Sequence, residues 1–340
     1  MEKILVIQTA FIGDAILTLP MIQKLKSILP ESQIDILAIP STAEIFSASP
    51  YVNCTVIIDK NGKHKSIFSL LNFIKKLKKN NYNRIYSPHR SFRSSFIVLM
   101  LGVKETYGFT NSSFNYAYKY LKEYFPLHHE VQRNLDLIGY EYKDDWKILP
   151  EVRVSESAEK KIDGFISENK LNGNIAAVAP GSIWCTKRYP EIYFKYIVKY
   201  FRENSFTVVL IGSDKDKSLC DGIAGCFNEG VVSAAGRFSI IESIGLLKKT
   251  KILISNDSAP THFGMCANIP VLTIFCSTVP EFGFSPYNYR SSFVSLNDLI
   301  CKPCGIHGRQ KCPVNTFVCG FNLKPHMVIS KIAEMLNDNV

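Results

Sequence analysis

The 340-residue chain lacks any apolar run approaching the roughly 20 residues that span a bilayer. Its longest runs, such as Ile4 to Ile7 and Ala176 to Ala179, fall far short, so no membrane helix is expected. It also lacks the basic start and continuous apolar stretch of a signal peptide: Glu2 stands beside Lys3, and Gln8 and Thr9 break the first apolar run. The protein is therefore expected in the cytoplasm. Neither a Walker spacing of glycines before Lys-Ser/Thr nor GxGxxG occurs, which argues against mononucleotide hydrolysis and ordinary dinucleotide binding. No long low-complexity segment or short repeat appears, which excludes a solenoid.

Charge is sparse as well, at 21% of residues, against 46% hydrophobic and 12% aromatic, a composition that buries cores and does not stay disordered. At this length two domains are expected, with a cleft between them. The net charge of +10 calls for an anionic partner: a phosphorylated substrate, a nucleic acid or a membrane face. The cluster Lys75-Lys76-Leu77-Lys78-Lys79 reads as the solvated face of a helix. Six of the ten cysteines, Cys54, Cys185, Cys220, Cys226, Cys266 and Cys276, are scattered as in a reduced cytosolic protein, while Cys301, Cys304, Cys312 and Cys319 crowd one loop-like segment.

Strands and amphipathic helices alternate from Lys3 to Ser87: strands at Ile4 to Gln8, Ile34 to Ile39, Val56 to Asp59 and Arg84 to Ser87, with helices at Ala15 to Leu29 and Ser66 to Lys79. This pattern makes a parallel sheet covered on both faces. The stretch from Tyr107 to Tyr124 reads as irregular, and a helix near Glu130 to Tyr140 closes the lobe. A second alternating series has strands at Ile175 to Ala179, Phe206 to Ile211, Val231 to Ala234, Ile252 to Ser255 and Val271 to Phe275. The expected organisation is a first lobe over 1–150, a second over 151–322, and a terminal helix over 323–340 that is free to cross back onto the first. Doubly wound lobes place ligands at the carboxyl ends of their strands.

The first strand leads to Thr9-Ala10-Phe11-Ile12-Gly13-Asp14, where Gly13 is expected to turn the chain and Asp14 to present a carboxylate at the following helix start, or simply to cap it. In Ser87-Pro88-His89-Arg90-Ser91-Phe92-Arg93-Ser94, Arg90 and Arg93 are spaced for one helical face, suited to carboxylate or phosphate or else to structural ion pairs. The segment Pro180-Gly181-Ser182-Ile183-Trp184-Cys185-Thr186-Lys187-Arg188-Tyr189-Pro190 combines small residues, hydroxyls and cations after a strand, a plausible phosphate site. Asn256-Asp257-Ser258-Ala259-Pro260-Thr261-His262 starts a helix that Ser258 or Asp257 can cap and whose amides attract an anion; capping with a packed His262 is the plainer alternative. Asp214-Lys215-Asp216 has the Asp-x-Asp form of a divalent-metal site, competing with a solvated loop or a ribose contact.

Four stretches, Ile7 to Asp14, Pro88 to Ser94, Pro180 to Pro190 and the run from Asn256 through Phe284 that includes Thr278 to Phe284, together resemble glycosyltransferase family 9, the ADP-heptose lipopolysaccharide heptosyltransferases, over nearly the whole chain. The resemblance implies a GT-B α/β fold, two doubly wound Rossmann-like lobes facing a central cleft, and inverting transfer with no metal or cofactor. It implies Asp14 as general base and Lys187 at the leaving diphosphate. Ser182, Thr186, Asp257, Ser258, Ala259 and His262 are placed on the donor side, with Asp214 or Asp216 at the ribose, and Gly13, His89, Arg90 and Arg93 on the acceptor side. The expected partners are an ADP-heptose donor, a lipid-anchored lipopolysaccharide inner-core acceptor and the anionic inner membrane face, where the protein is expected to sit peripherally. Cys301, Cys304, Cys312 and Cys319 look like a cysteine-rich segment of some relatives; their CxxC permits zinc, but the later spacings favour free or disulfide-capable thiols. Competing readings are a GT-B enzyme that uses or isomerises another nucleotide sugar, a degenerate sugar-nucleotide binder, and a basic nucleic-acid-binding protein, for which no motif stands out.

Overall fold

Each half of the chain alternates strand and helix around its own parallel sheet in the computed structural model, which describes residues 1–337; residues 338–340, the end of the 323–340 segment, lie outside the described residues. The division falls between Arg153 and Val154. The first unit runs β1 (Lys3–Ile7), α1 (Ile12–Ile28), β2 (Gln33–Ala38), α2 (Pro40–Ser47), β3 (Cys54–Ile57), α3 (Ile67–Lys78), β4 (Arg84–Tyr86), α4 (Phe92–Leu101), β5 (Glu105–Phe109), β6 (Tyr120–Lys122) and α5 (Glu130–Leu137). The second runs α6 (Glu156–Glu168), β7 (Asn174–Ala179), α7 (Glu191–Glu203), β8 (Phe206–Leu210), α8 (Lys217–Ala224), β9 (Val231–Ser233), α9 (Ile240–Leu247), β10 (Ile252–Asn256), α10 (Ala259–Ala267), β11 (Val271–Phe275), β12 (Ser292–Ser295), α11 (Val318–Phe321) and α12 (Pro325–Asn337).

Strand order in the first sheet is β3-β2-β1-β4-β5-β6, and in the second β12-β11-β10-β7-β8-β9, with all pairs parallel. Counted within each unit, both are the 3-2-1-4-5-6 order of a doubly wound sheet, whose direction of winding reverses at β1/β4 and at β7/β10. The central strands are buried on both faces, which is why β1 and β7 read as unbroken apolar runs. α3 covers its sheet amphipathically: Leu70, Ile74 and Leu77 recur every three or four residues and are buried in the first core, and Ser66 caps the helix by accepting from Ser69 N. α1, expected to be amphipathic, instead buries every residue from Ala15 to Ile22.

The stretch from Tyr107 to Tyr124 is not irregular: it holds the end of β5, a 3₁₀ turn at Asn115–Ala117 and the edge strand β6. β6 has three residues, Tyr120, Leu121 and Lys122, too short for a visible alternation, and none of them is buried. In the second unit α12 buries Val328, Ile332 and Met335 in a core shared with Phe194 and Phe201 of α7, so its apolar face is occupied within that unit. Among the described residues no helix is long and apolar enough to cross a membrane.

Candidate active site

In the first unit the loops after β1 and β4 lie at the point where winding reverses. The chain leaves β1 through Gln8 to Phe11, and Phe11 is the extended N-cap residue of α1 without a side-chain cap. Gly13 and Asp14 are the second and third residues of the helix, so Gly13 does not make the turn; the reversal is complete before it. Asp14 is half-buried in the first turn, where the partial positive charge of the helix start favours a carboxylate.

His89, after β4, ties the two loops together. Its Nδ1 lies 2.8 Å from Thr9 Oγ1 and 2.9 Å from Ser94 Oγ, while Lys60 Nζ donates to Thr9 O at 2.6 Å. Burial, then the cations Lys60 and Arg90, push His89 down to about 4, so the ring is neutral at pH 7 and positions the loop without supplying charge. Arg90 and Arg93 do not share a helical face. Ser91 is the N-cap of α4, which leaves Arg90 in the loop, where its guanidinium lies 3.9 Å over the Tyr124 ring; Arg93, inside the helix, donates to His64 O at 3.1 Å.

Three further residues complete this site. Arg133 lies 4.7 Å from the Tyr124 ring and donates to Glu130 Oε2 at 2.9 Å; both members of this ion pair are buried. Burial, then the charge of Asp14, raises Glu130 to about 7, against the opposing pull of Arg133 and Arg90. Helix α5 is fastened to α1 by Asn134 Nδ2, which donates to Leu17 O at 2.9 Å. One helical turn toward the start of each helix brings Glu130 and Asp14 into range of each other. The sequence does carry one signal for the pair, opposite charges at i,i+3 among the buried residues Val131, Asn134 and Leu135.

In the second unit the loops after β7 and β10 meet in the same topological place. Lys187, in a 3₁₀ turn at Cys185–Lys187, bonds Asp257 Oδ2 at 2.6 Å, and Thr278 Oγ1 donates to the same oxygen at 2.6 Å. Asp257 is thus spent on Lys187, and Ser258, though at the N-cap of α10, directs its hydroxyl to Asn256 O at 3.3 Å. Neither residue caps the helix, which begins at Ala259 with Pro260 in its first turn and no side-chain cap. His262 is buried with Nδ1 unpartnered, and burial, followed by Lys187, pushes it down to about 3. The loop is held by Asn256, whose Nδ2 donates to Pro180 O at 2.8 Å and whose Oδ1 accepts from Tyr189 N at 2.9 Å. Ser182 is buried, and its carbonyl accepts from Arg188 Nε at 2.7 Å.

Asp216 accepts from Ser213 N at 2.9 Å and from Ser213 Oγ at 2.6 Å, so its carboxylate closes a local cap. It lies so close over the β7 loop that a Cβ on Gly181 would stand 2.2 Å from its Oδ1. Asp214 remains exposed. The cysteine-rich segment braces this site through its backbone: Thr186 N and Oγ1 both donate to Arg309 O at 3.0 Å, Arg309 N donates to Thr186 Oγ1 at 2.8 Å, and Cys304 N donates to Ser277 O at 2.9 Å. Gly308, at φ +79°, passes where a Cβ would meet Lys187 Cγ at 3.1 Å. Cys301, Cys304, Cys312 and Cys319 are free thiols, Cys319 being in the core, and among the described residues no three His, Cys, Asp or Glu side chains are gathered to hold a metal.

Chemically, one unit offers a carboxylate near the buried Glu130–Arg133 pair and the half-buried Arg90, and the other an ammonium at an uncapped helix start with hydroxyls around it. The first suits taking a proton, and the second suits holding an anion. Residues 70–312 match the family model for glycosyltransferase family 9 (heptosyltransferase). Among curated proteins the chain is similar to lipopolysaccharide heptosyltransferase 3 of Escherichia coli, 27% identical over 278 residues, covering 79% of this chain and 82% of that one. Among solved structures it is similar to a glycosyltransferase family 9 protein of Veillonella parvula (TM-score 0.86, 18% identity, 99% of this chain and 98% of that one). It is also similar to the ADP-heptose lipopolysaccharide heptosyltransferase II of E. coli (TM-score 0.81, 19% identity, 99% of each chain). The two parallel sheets are those of the GT-B fold, as the sequence predicts.

Proposed function

The chain belongs to glycosyltransferase family 9, and on that premise we propose that it moves heptose from ADP-heptose to the inner core of a lipopolysaccharide acceptor, with inversion and without a metal ion. The observation that carries the donor half is the Lys187–Asp257 pair beside the uncapped start of α10. A diphosphate at this place gains the Lys187 ammonium, the first-turn amide of Ala259 and the hydroxyl of Ser258, while Thr186, its hydroxyl held by Arg309, keeps the Lys187 turn in place. The unpartnered Nδ1 of the buried His262 offers one further polar atom there. With its charge met in this way, the leaving group needs no metal. Asp214, the exposed acid after β8, is assigned to the ribose. The donor's identity is supported by the name of the E. coli structural relative, and the acceptor class by that of the curated relative.

In the reaction Asp14 takes the proton of the acceptor hydroxyl as its oxygen bonds the anomeric carbon. The bond from that carbon to the diphosphate oxygen breaks, and ADP leaves with the electron pair. A single displacement of this kind inverts the anomeric centre. Arg90, held over Tyr124, faces the anionic sugars of the acceptor, and Glu130 with Arg133 sets the field around Asp14. The enzyme is assigned to the cytoplasmic side of the inner membrane, in peripheral contact with its lipid-borne acceptor.

The test is ADP release from ADP-heptose with a truncated lipopolysaccharide acceptor in the presence of a chelator, comparing the wild type with Asp14→Ala. Acceptor-dependent release that the variant loses, with an inverted anomer in the product, is expected. Release only with a UDP-sugar, or only after metal is added, would overturn the donor or the metal-free assignment.

A further inference from the structure

We infer that the outer face of α3, together with the facing end of α4, docks the protein on an anionic lipid bilayer. The positive charge of the chain is not spread over it. From Lys60 to Lys104 the sequence holds eight lysines and three arginines and not one Asp or Glu. Since the whole chain carries +10, the rest of it sums to −1. This acid-free segment builds α3, β4 and α4. The lysine cluster that reads in sequence as a solvated helix face therefore belongs to a larger one-signed surface.

Apolar side chains stand within that surface. Phe68, Asn72, Lys75, Lys76 and Lys79 recur at helical spacing along one side of α3 and its C-cap, and all are exposed, while Leu70, Ile74 and Leu77 on the other side enter the core. Phe68 is 77% exposed, and Ile67 and Phe92 are 52% and 59% exposed. The starts of α3 and α4 share an open groove of about 240 Å³ lined by Lys65, Ile67, Leu70, Phe92, Arg93 and Phe96. Its wall is ordered: Phe92 stacks on Phe96 with centroids 6.2 Å apart, and Arg93 is tied to His64 O.

Bulky apolar groups in water, in a segment that carries cations and no acid of its own, with Asp59 before it held by the amides of Gly62 and Lys63, match the requirement of an interfacial element, with apolar side chains entering the acyl boundary and ammonium groups at the lipid phosphates. With no carboxylate in the segment, its cations add to the attraction to an anionic surface, at about fivefold in affinity per lysine. A phosphate backbone would use the cations but leave Ile67 and Phe68 without an apolar partner, so the bilayer fits the whole surface better. The proposal deepens the reading of a lipid-borne acceptor and rests on it for its purpose. The approach loop to α4 carries His89 and Arg90, which places the docking face and the proposed acceptor loop at one end of one helix.

The experiment is co-sedimentation of the full chain with vesicles of phosphatidylcholine alone and of phosphatidylcholine mixed with phosphatidylglycerol. Binding to the mixed vesicles only, weakened by added salt, is expected. Lys75→Gln, Lys76→Gln and Lys79→Gln combined should weaken it ~100-fold, and Phe68→Ser ~10-fold. Both variants should keep wild-type turnover on a deacylated, water-soluble saccharide acceptor. Equal binding to neutral vesicles, variants with undiminished affinity, or a face that binds an RNA oligonucleotide but no vesicle would each overturn the docking surface. If the wild type shows no transfer to any acceptor while the vesicle results hold, the transfer reading falls and the docking surface stands.

Discussion

In the first unit the loops leaving β1 and β4 converge on a carboxylate, Asp14, beside the buried Glu130–Arg133 pair; in the second, the loops leaving β7 and β10 converge on an ammonium, Lys187, beside Asp257 and a bare helix start. The two sheets have the same strand order, so topology fixes where chemistry collects and leaves its sign to the loops. A helix start lies at both places. In α1 its field falls on a carboxylate belonging to the chain, whereas in α10 no side chain takes the cap, so the field is open to an anion from outside.

If Asp14 is the base, Asp14→Asn should lower kcat ~10³-fold with little change in the donor KM, read by steady-state ADP release. Next in size is the buried pair that surrounds it. Arg133→Met leaves Glu130 unpaired in the core and should cost about 3 to 5 kcal/mol in urea unfolding, while adding Glu130→Leu should recover most of that loss. Stability that survives the single change would make the pair ornamental and break the comparison. On the other side, Lys187→Met should cut kcat/KM ~10²- to 10³-fold by removing charge from the leaving group, and Lys187→Arg should restore part of it.

The smallest effect sharpens the electrostatic contrast. His262 is neutral when folded, with a pKa of about 3, below its unfolded value. Its stabilisation is fully present above the unfolded value of about 6.5 and is lost as pH falls toward the folded value; at pH 5 the loss is about 2 kcal/mol. Unfolding at pH 8 and pH 5 should show that this part of the pH dependence disappears in His262→Gln. A wild-type dependence kept in full by the variant would place the acid-labile group elsewhere.

Much of this site was legible in the sequence because each loop follows an apolar strand and carries its own punctuation: Gly181 and Pro190 around Lys187, and Pro260 just inside α10. Tyr124, Glu130 and Arg133 were not, since they reach Asp14 only through the packing of α5 on α1, across more than a hundred residues of chain. Arg90 and Arg93 have helical spacing, but Ser91 starts the helix between them, a boundary that spacing cannot show. The bracing of Thr186 by Arg309 and Gly308 was hidden because it is made largely by backbone atoms, which leave no side-chain pattern. In sequence the cysteines mark that segment, yet its part in the site is made by backbone: the amides of Cys304 and Arg309, the Arg309 carbonyl and Gly308.

The division of labour is tested most directly by the affinity for ADP, measured by titration calorimetry on the wild type, Asp14→Asn and Lys187→Met. ADP bound equally by the wild type and Asp14→Asn, and at least tenfold more weakly by Lys187→Met, is the predicted result. Undiminished binding to Lys187→Met, with loss in Asp14→Asn, would contradict the assignment of the donor to the second unit and the acceptor to the first.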